Sequence, residues 1–174
     1  MGEIVLYLGG AKSGKTKAAL AHAEGFPPPR FYLATAQSLD GEMASRIRCH
    51  QAERGKDWRT IEEPLDPAGA MARAIPEAPV LVDCLTLWLS NLLAIGQGED
   101  RTGPIVARVE ALVQAAMARP GPVIIVSNEV GGGLVPMEAL GRLFRDLSGL
   151  AHQLIAREAG QVFLVTAGLA QRLK

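Results

Sequence analysis

The sequence predicts an α/β fold in which a parallel β-sheet carries helices on both faces. Three observations predict it. A glycine-rich turn, Gly9-Gly10-Ala11-Lys12-Ser13-Gly14-Lys15-Thr16, separates the apolar run Ile4-Val5-Leu6-Tyr7-Leu8 from a helix-forming stretch at 17–24. Short β-rich runs then alternate with helical patterns, as expected for parallel strands joined by crossover helices. The runs are continuously apolar rather than alternating, which suits strands buried on both faces.

Each element follows in chain order. The run at 4–8 is the first strand, and the turn behind it fits the phosphate-binding pattern G-x-x-x-x-G-K-[ST] in full. Pro27-Pro28-Pro29 break the helical pattern after residue 24, and Phe31-Tyr32-Leu33-Ala34 restarts the chain as a strand. A helix is expected over 40–54. Strands follow at Val80-Leu81-Val82-Asp83, Val123-Ile124-Ile125-Val126 and Val162-Phe163-Leu164-Val165, with helices near 86–95, 104–118 and 138–158. There is no internal repeat and no low-complexity segment. Ligands of such sheets sit at the carboxyl ends of the strands. That points to the turn at 9–16, Thr35, Asp83 and Asn128-Glu129.

Length and composition narrow the class. The 174 residues are expected to form one domain, 1–174. Eighteen basic residues balance 18 acidic ones, so no broad field favours nucleic acid or an anionic membrane. Cys49 and Cys84 form no disulfide framework, which fits a reduced compartment. No leader pattern opens the sequence and no apolar run approaches the roughly 20 residues that span a bilayer. The expectation is a soluble cytoplasmic protein with no nucleic-acid partner and no stable membrane insertion.

The turn carries the first chemistry. A buried strand stops, consecutive backbone N–H groups are exposed, and a helix begins with its positive end facing the same point. Lys15 is expected to reach the β and γ phosphates of a nucleoside triphosphate, and the Thr16 hydroxyl to ligate Mg²⁺. Lys12 either adds a second charge there or points to solvent. Asp83 closes an apolar run, as does the carboxylate on a neighbouring strand that helps hold Mg²⁺ in such sites; the competing reading is a cap on the helix starting near Thr86. Glu62, after the short run Arg59-Thr60-Ile61, reads as a surface carboxylate on spacing alone.

A second constellation lies in 42–54. If that segment is helical, Arg46, His50 and Arg54 fall on one stripe. An imidazole between two guanidiniums suits phosphate chemistry, and neutral imidazole is a competent nucleophile near pH 7. A solvated face with Glu42 paired to Arg46 accounts for the spacing as well, and by spacing alone is the better account. His22 points away from the phosphate end of its helix, and His152 reads as structural or solvent-facing. Gly131-Gly132-Gly133 after Asn128-Glu129 suits either a close approach to a bound molecule or a plain connector. Arg145-Asp146 suits an ion pair or a substrate contact.

Read together, the segments GGAKSGKT, FYLATAQ, DGEMASRIRCHQAERGKDWRTIEEP, VLVDCLTLWLSNLL, VSNEVGGGLVP, FRDLSGLAHQLIA and VFLVTAG resemble the adenosylcobinamide kinase/adenosylcobinamide-phosphate guanylyltransferase family. The similarity runs from the first strand to the last. It rests most on R-I-x-x-H-Q-x-x-R followed by W-R-T-x-E, and on N-E-V-G-x-G before V-P. The resemblance implies a P-loop NTPase of RecA-like type: a mostly parallel sheet, helices on both faces, an antiparallel edge strand, and a homotrimer. It implies two reactions of cobalamin biosynthesis and corrinoid salvage. ATP or GTP phosphorylates adenosylcobinamide; GMP then passes from GTP, through a histidine, to adenosylcobinamide phosphate. By motif the guanylylated histidine falls on His50, with Lys15 the other catalytic residue. Nucleotide contacts fall on Gly9, Gly10, Ala11, Lys12, Ser13, Gly14, Lys15 and Thr16, on Ala34, Thr35 and Ala36, on Gln51, Ala52, Glu53 and Arg54, and on Glu62 and Asp83. Thr16 and Asp83 fall at the metal. Three positions depart from the family's pattern: Asp83 stands for a usual glutamate, Ala36 for a serine and His152 for an asparagine. The segment 40–54 is further expected to move toward the turn when GTP binds. Two other readings compete with this one: a small-metabolite P-loop kinase with a single activity, and a RecA-like NTP switch acting on a macromolecular partner.

Overall fold

A computed structural model describes residues 2–37, 55–96 and 101–174. The helix expected over 40–54, and with it Cys49, His50, Gln51, Ala52, Glu53 and Arg54, lies outside the described residues. The strands are β1 (Ile4–Gly9), β2 (Arg30–Ala34), β3 (Trp58–Glu62), β4 (Val80–Asp83), β5 (Val123–Asn128), β6 (Gln161–Thr166) and β7 (Leu169–Arg172). The helices are α1 (Lys15–Glu24), the one-turn α2 (Pro67–Ala70), α3 (Leu85–Ile95), α4 (Thr102–Ala118) and α5 (Ala139–Glu158). Among the described residues no helix is long and apolar enough to cross a membrane.

One seven-stranded sheet runs in the order β3-β2-β4-β5-β1-β6-β7. Every pairing is parallel except β6–β7, the antiparallel edge. The interior strands are buried because side chains alternate across two covered faces. On one face Ile4, Leu6, Leu33, Val82, Ile125 and Val162 pack with α3, α4 and α5, around Leu85, Leu89, Leu112, Leu147 and Ile155. On the other, Val5, Tyr7, Tyr32, Leu81, Ile124 and Val126 pack with Ala19 and Ala23 of α1. Small alanines let α1 lie close to the sheet, which holds its first turn directly over the end of β1.

The topology corrects one expectation. Asp83 is not on the strand next to the glycine turn: β5 lies between β1 and β4, pairing with both. The register sets Gly9 against Asn128, and Val126 against Asp83. The carboxyl ends of three adjacent strands therefore form one shelf, with Asn128-Glu129 between the turn and Asp83. Three elements did not stand out as regular structure in the residue pattern. β3 carries the exposed residues Arg59 and Thr60 and is an edge strand. The α2 turn is one turn long, started by Pro67 and by Asp66, whose side chain accepts the Gly69 N–H. β7 is exposed throughout, so it has no apolar signature.

Candidate active site

The turn after β1 is built to leave N–H groups free. Gly14, at the start of α1, has φ +93°, and Lys12 has φ +55°, so the chain curls around a small hollow. Ser13 N–H donates to the Gly10 carbonyl at 3.2 Å, closing the curl. Glycine is required at position 9 for packing rather than for φ. A Cβ there would stand 2.5 Å from both Ser13 Oγ and the Val165 carbonyl oxygen. Ser13 Oγ is buried and has no hydrogen-bond partner among the described residues.

Lys15 and Thr16 open α1, and both stand where the pattern places them. Lys15 is only 8% exposed, and its Nζ donates to the Gly10 carbonyl at 3.2 Å, arching the ammonium over the turn. An ammonium so buried, with no carboxylate partner among the described residues, suits an anion. Thr16 Oγ1 donates to Asp83 Oδ2 at 3.2 Å, and Tyr32 donates its hydroxyl to the same oxygen at 2.8 Å. The Asp83 side chain is thus turned toward the start of α1 and does not cap α3. That position belongs to Cys84, whose side chain makes no cap bond. Hydroxyl and carboxylate side by side are hard oxygen donors of the kind Mg²⁺ takes. Lys12 is exposed at the lip of an open cleft of about 680 Å³ that is lined by residues of the turn and of α1, among them Ser13, Lys15, Thr16, Leu20 and Glu24.

Other expected residues sit on the same shelf without meeting the turn. Ala34 pairs in register with Asp83 on one side and Glu62 on the other. Glu62 is therefore two strands from Asp83, roughly 10 Å, and exposed. Thr35 is fully buried and its polar groups are committed: the hydroxyl donates to the Cys84 carbonyl and accepts the Cys84 N–H, each at 2.8 Å. Its carbonyl accepts Asn91 Nδ2 at 2.8 Å. Thr35 thus ties β2 to the start of α3 and holds the Asp83 end of β4 in place. Ala36 is half-buried beside it.

The residue pattern did not reveal the network behind β5. His152 of α5 is buried; its Nε2 lies 2.8 Å from Ser127 Oγ, and its Nδ1 lies 3.5 Å from Glu129 Oε2. Burial pushes the imidazole pKa below its ordinary value, and Glu129 opposes that shift without cancelling it. Glu129 accepts the Gly131 N–H at 2.6 Å, and its own N–H donates to the Gly9 carbonyl at 3.0 Å. The order Ser127–His152–Glu129 has the connectivity of a nucleophile, base and orienter, but Ser127 is wholly buried, so no substrate reaches its hydroxyl. The network instead holds the Glu129–Gly131 loop against the glycine turn. Arg145 donates to the Gly131 carbonyl at 2.5 Å, which holds the loop from α5. His22 bonds the Tyr7 hydroxyl through Nδ1 at 2.9 Å and is structural.

Comparison with known proteins agrees with this geometry. The profile of the family described as "Cobinamide kinase / cobinamide phosphate guanyltransferase" matches residues 5–173. The chain is 45% identical over 173 residues to the bifunctional adenosylcobalamin biosynthesis protein CobP of Pseudomonas aeruginosa, covering 97% of this chain and 96% of that one. It is 37% identical over 185 residues to the bifunctional adenosylcobalamin biosynthesis protein CobU of Salmonella typhimurium, covering 98% and 99%. Among solved structures, the type III secretion ATPase EscN of enteropathogenic E. coli superposes with a TM-score of 0.61 at 13% identity, over 95% of this chain and 43% of EscN. That likeness establishes the P-loop ATPase fold alone.

Proposed function

The chain belongs to the cobinamide kinase / cobinamide phosphate guanyltransferase family, and we propose that it runs both reactions from the single triphosphate site at 9–16. It is an enzyme of cobalamin biosynthesis, a kinase and a nucleotidyltransferase. The observation that carries the proposal is the meeting of Lys15, Thr16 and Asp83 at the start of α1, where a triphosphate would lie.

In the kinase reaction the aminopropanol hydroxyl of adenosylcobinamide attacks the γ-phosphorus of ATP or GTP. The new O–P bond forms as the β–γ bridge breaks, the hydroxyl proton is lost, and a nucleoside diphosphate leaves. Lys15 stabilises the charge that gathers on the β and γ oxygens. Backbone N–H groups of Ala11 and Gly14 hold the non-transferring oxygens, which fixes the line of attack. Thr16 and Asp83 are the residues that would hold Mg²⁺, which neutralises phosphate charge when bound. Tyr32 keeps the Asp83 carboxylate aimed at Thr16.

In the second reaction a neutral His50 nitrogen attacks the α-phosphorus of GTP. An N–P bond forms, the α–β bridge breaks, and pyrophosphate departs. A phosphate oxygen of adenosylcobinamide phosphate then attacks the same phosphorus and the N–P bond breaks, giving adenosylcobinamide-GDP and free His50. Gln51, Ala52, Glu53, Arg54, Ala34, Ala36 and Glu62 complete the guanine-nucleotide contacts in this reading, while Thr35 acts through the backbone it braces. The same reading takes residues 1–174 as one catalytic domain, acting in the cytoplasm as a homotrimer.

Incubation with Mg²⁺ and GTP labelled at the α-phosphate, followed by denaturation, tests the guanylyl step. The expected result is an acid-labile, base-stable adduct on the wild type and none on His50→Ala. Labelled protein in both, or in neither, overturns the histidine assignment. Transfer of γ-label to adenosylcobinamide by His50→Ala at the wild-type rate separates the two activities, and no transfer by either protein removes the kinase half.

A further inference from the structure

We infer that the turn of the β6–β7 hairpin belongs to the nucleotide site: Gly168 is a positioning residue that aims the Gly14 N–H into the hollow of the phosphate loop. The inference rests on reading 9–16 as a triphosphate site. It adds to that site a segment more than 150 residues away in sequence, outside the phosphate-binding pattern.

The hairpin reverses through two residues, Ala167 and Gly168, between the paired positions Thr166 and Leu169. Both have positive φ, +53° and +80°, as a type I′ turn demands. β6 lies beside β1 with Gly9 in register with Val165, so the reversal falls at the same end of the sheet as the phosphate loop. There the Gly168 N–H donates to the Ser13 carbonyl at 2.8 Å. A trans peptide plane points its C=O and its N–H in opposite directions. With the Ser13 carbonyl held outward by the hairpin, the Gly14 N–H is held inward, toward the phosphate position.

Contact here is backbone against backbone. A Cβ on Gly14 would stand 3.1 Å from Gly168 Cα, so neither chain has a side chain that could yield. A Cβ on Gly168 itself would meet nothing within 4 Å. What glycine supplies at 168 is therefore the positive φ that brings its N–H to Ser13, not room. The hairpin is anchored at its other end as well. Leu173 N–H donates to the Val162 carbonyl at 2.7 Å, and Lys174 Nζ bonds the Ala156 and Arg157 carbonyls of α5 at 3.0 Å each. A turn fixed this way sets the loop's shape rather than following it.

The test titrates the full chain with a fluorescent GTP analogue and Mg²⁺, comparing wild type, Gly168→Val and Gly168→Asn. Valine is strongly disfavoured at this φ, whereas asparagine enters the region with its N–H intact. The expected result is an affinity about tenfold or more weaker for Gly168→Val, the scale of one lost charge-assisted bond, and near wild-type affinity for Gly168→Asn. A folded Gly168→Val with unchanged affinity overturns the inference. Amide exchange of Gly168 in the wild type decides the matter without any variant: GTP is expected to slow it about tenfold, and an unchanged rate overturns the inference. A wild type that binds no GTP defeats the triphosphate reading itself, which the first titration reveals before any variant is compared.

Discussion

Replacing His152 by asparagine should remove an acid sensitivity built into the wall of the site. The imidazole is 7% exposed and bonded to Ser127, and burial lowers its pKa below the ordinary value of about 6.5. The Glu129 carboxylate at 3.5 Å pulls the other way, but its side chain is 39% exposed and screened by water, so burial prevails. Because the folded pKa is depressed, the unfolded chain binds more protons as pH falls through 6.5, and stability is lost toward acid. If the folded imidazole stayed neutral throughout, the loss between about pH 7.5 and pH 5.5 would be roughly 1.4 kcal/mol; any proton taken up by the folded form reduces it. Urea unfolding of wild type and His152→Asn at those two pH values isolates this contribution, since carboxylates common to both cancel in the difference. The wild type is expected to lose more stability than the variant on acidification, by up to that amount. Equal losses would refute the burial argument. A wild type gaining on the variant in acid would mean that the Glu129 ion pair prevails.

Three further predictions follow from the same geometry. Lys15→Ala should weaken triphosphate binding by about 10- to 100-fold, the scale of lost bonds to a charged group, while leaving the thermal midpoint without nucleotide near the wild-type value; equilibrium titration and thermal melts check both. Leu89→Ala removes a fully buried side chain between the sheet and its helices and should cost about 2–5 kcal/mol by urea unfolding, with no change in the nucleotide it selects. Burial pushes the Cys84 thiol up to about 11, so about one molecule in a thousand is thiolate at pH 8; peptide mass spectrometry after iodoacetamide treatment should find Cys84 unmodified in the native protein and modified in urea.

Much of the site's phosphate end was legible because it depends on short-range order. Strand, glycine turn and helix are consecutive, so residues 4–24 alone show that Lys15 and Thr16 open the helix at the end of β1. Asp83 was legible as the polar end of an apolar run, but its strand position was not, because strand order is a tertiary property. Only the pairing of β5 with both β1 and β4 shows that one strand separates the carboxylate from the turn. Tyr32 was hidden for a related reason. It sits inside a strand whose apolar pattern it fits, and its hydroxyl acquires a role only when β2 lies beside β4. His152 and Ser127, 25 positions apart, look like an unremarkable helix residue and an unremarkable strand residue until α5 packs across β5.

The strand order also bears on the proposal that one loop serves attack at two different phosphorus atoms. A triphosphate lying from the loop toward Asp83 crosses the end of β5, so the shelf supports it along its length rather than at one atom. On this proposed arrangement the loop N–H groups of Ala11 and Gly14 hold the phosphates beside β1 and Asp83 stands at the end of β4 as a metal-side carboxylate, while Glu129 and the glycines behind it border the middle. Nothing in that support commits the site to the γ-phosphorus. In the proposed mechanism, what selects the reaction is which nucleophile approaches: the hydroxyl of an acceptor at the γ end, or the imidazole of His50 at the α end. Choice between the two activities should therefore be separable by mutation at the nucleophile, whereas damage to the loop, or to the hairpin that braces it, should weaken both together.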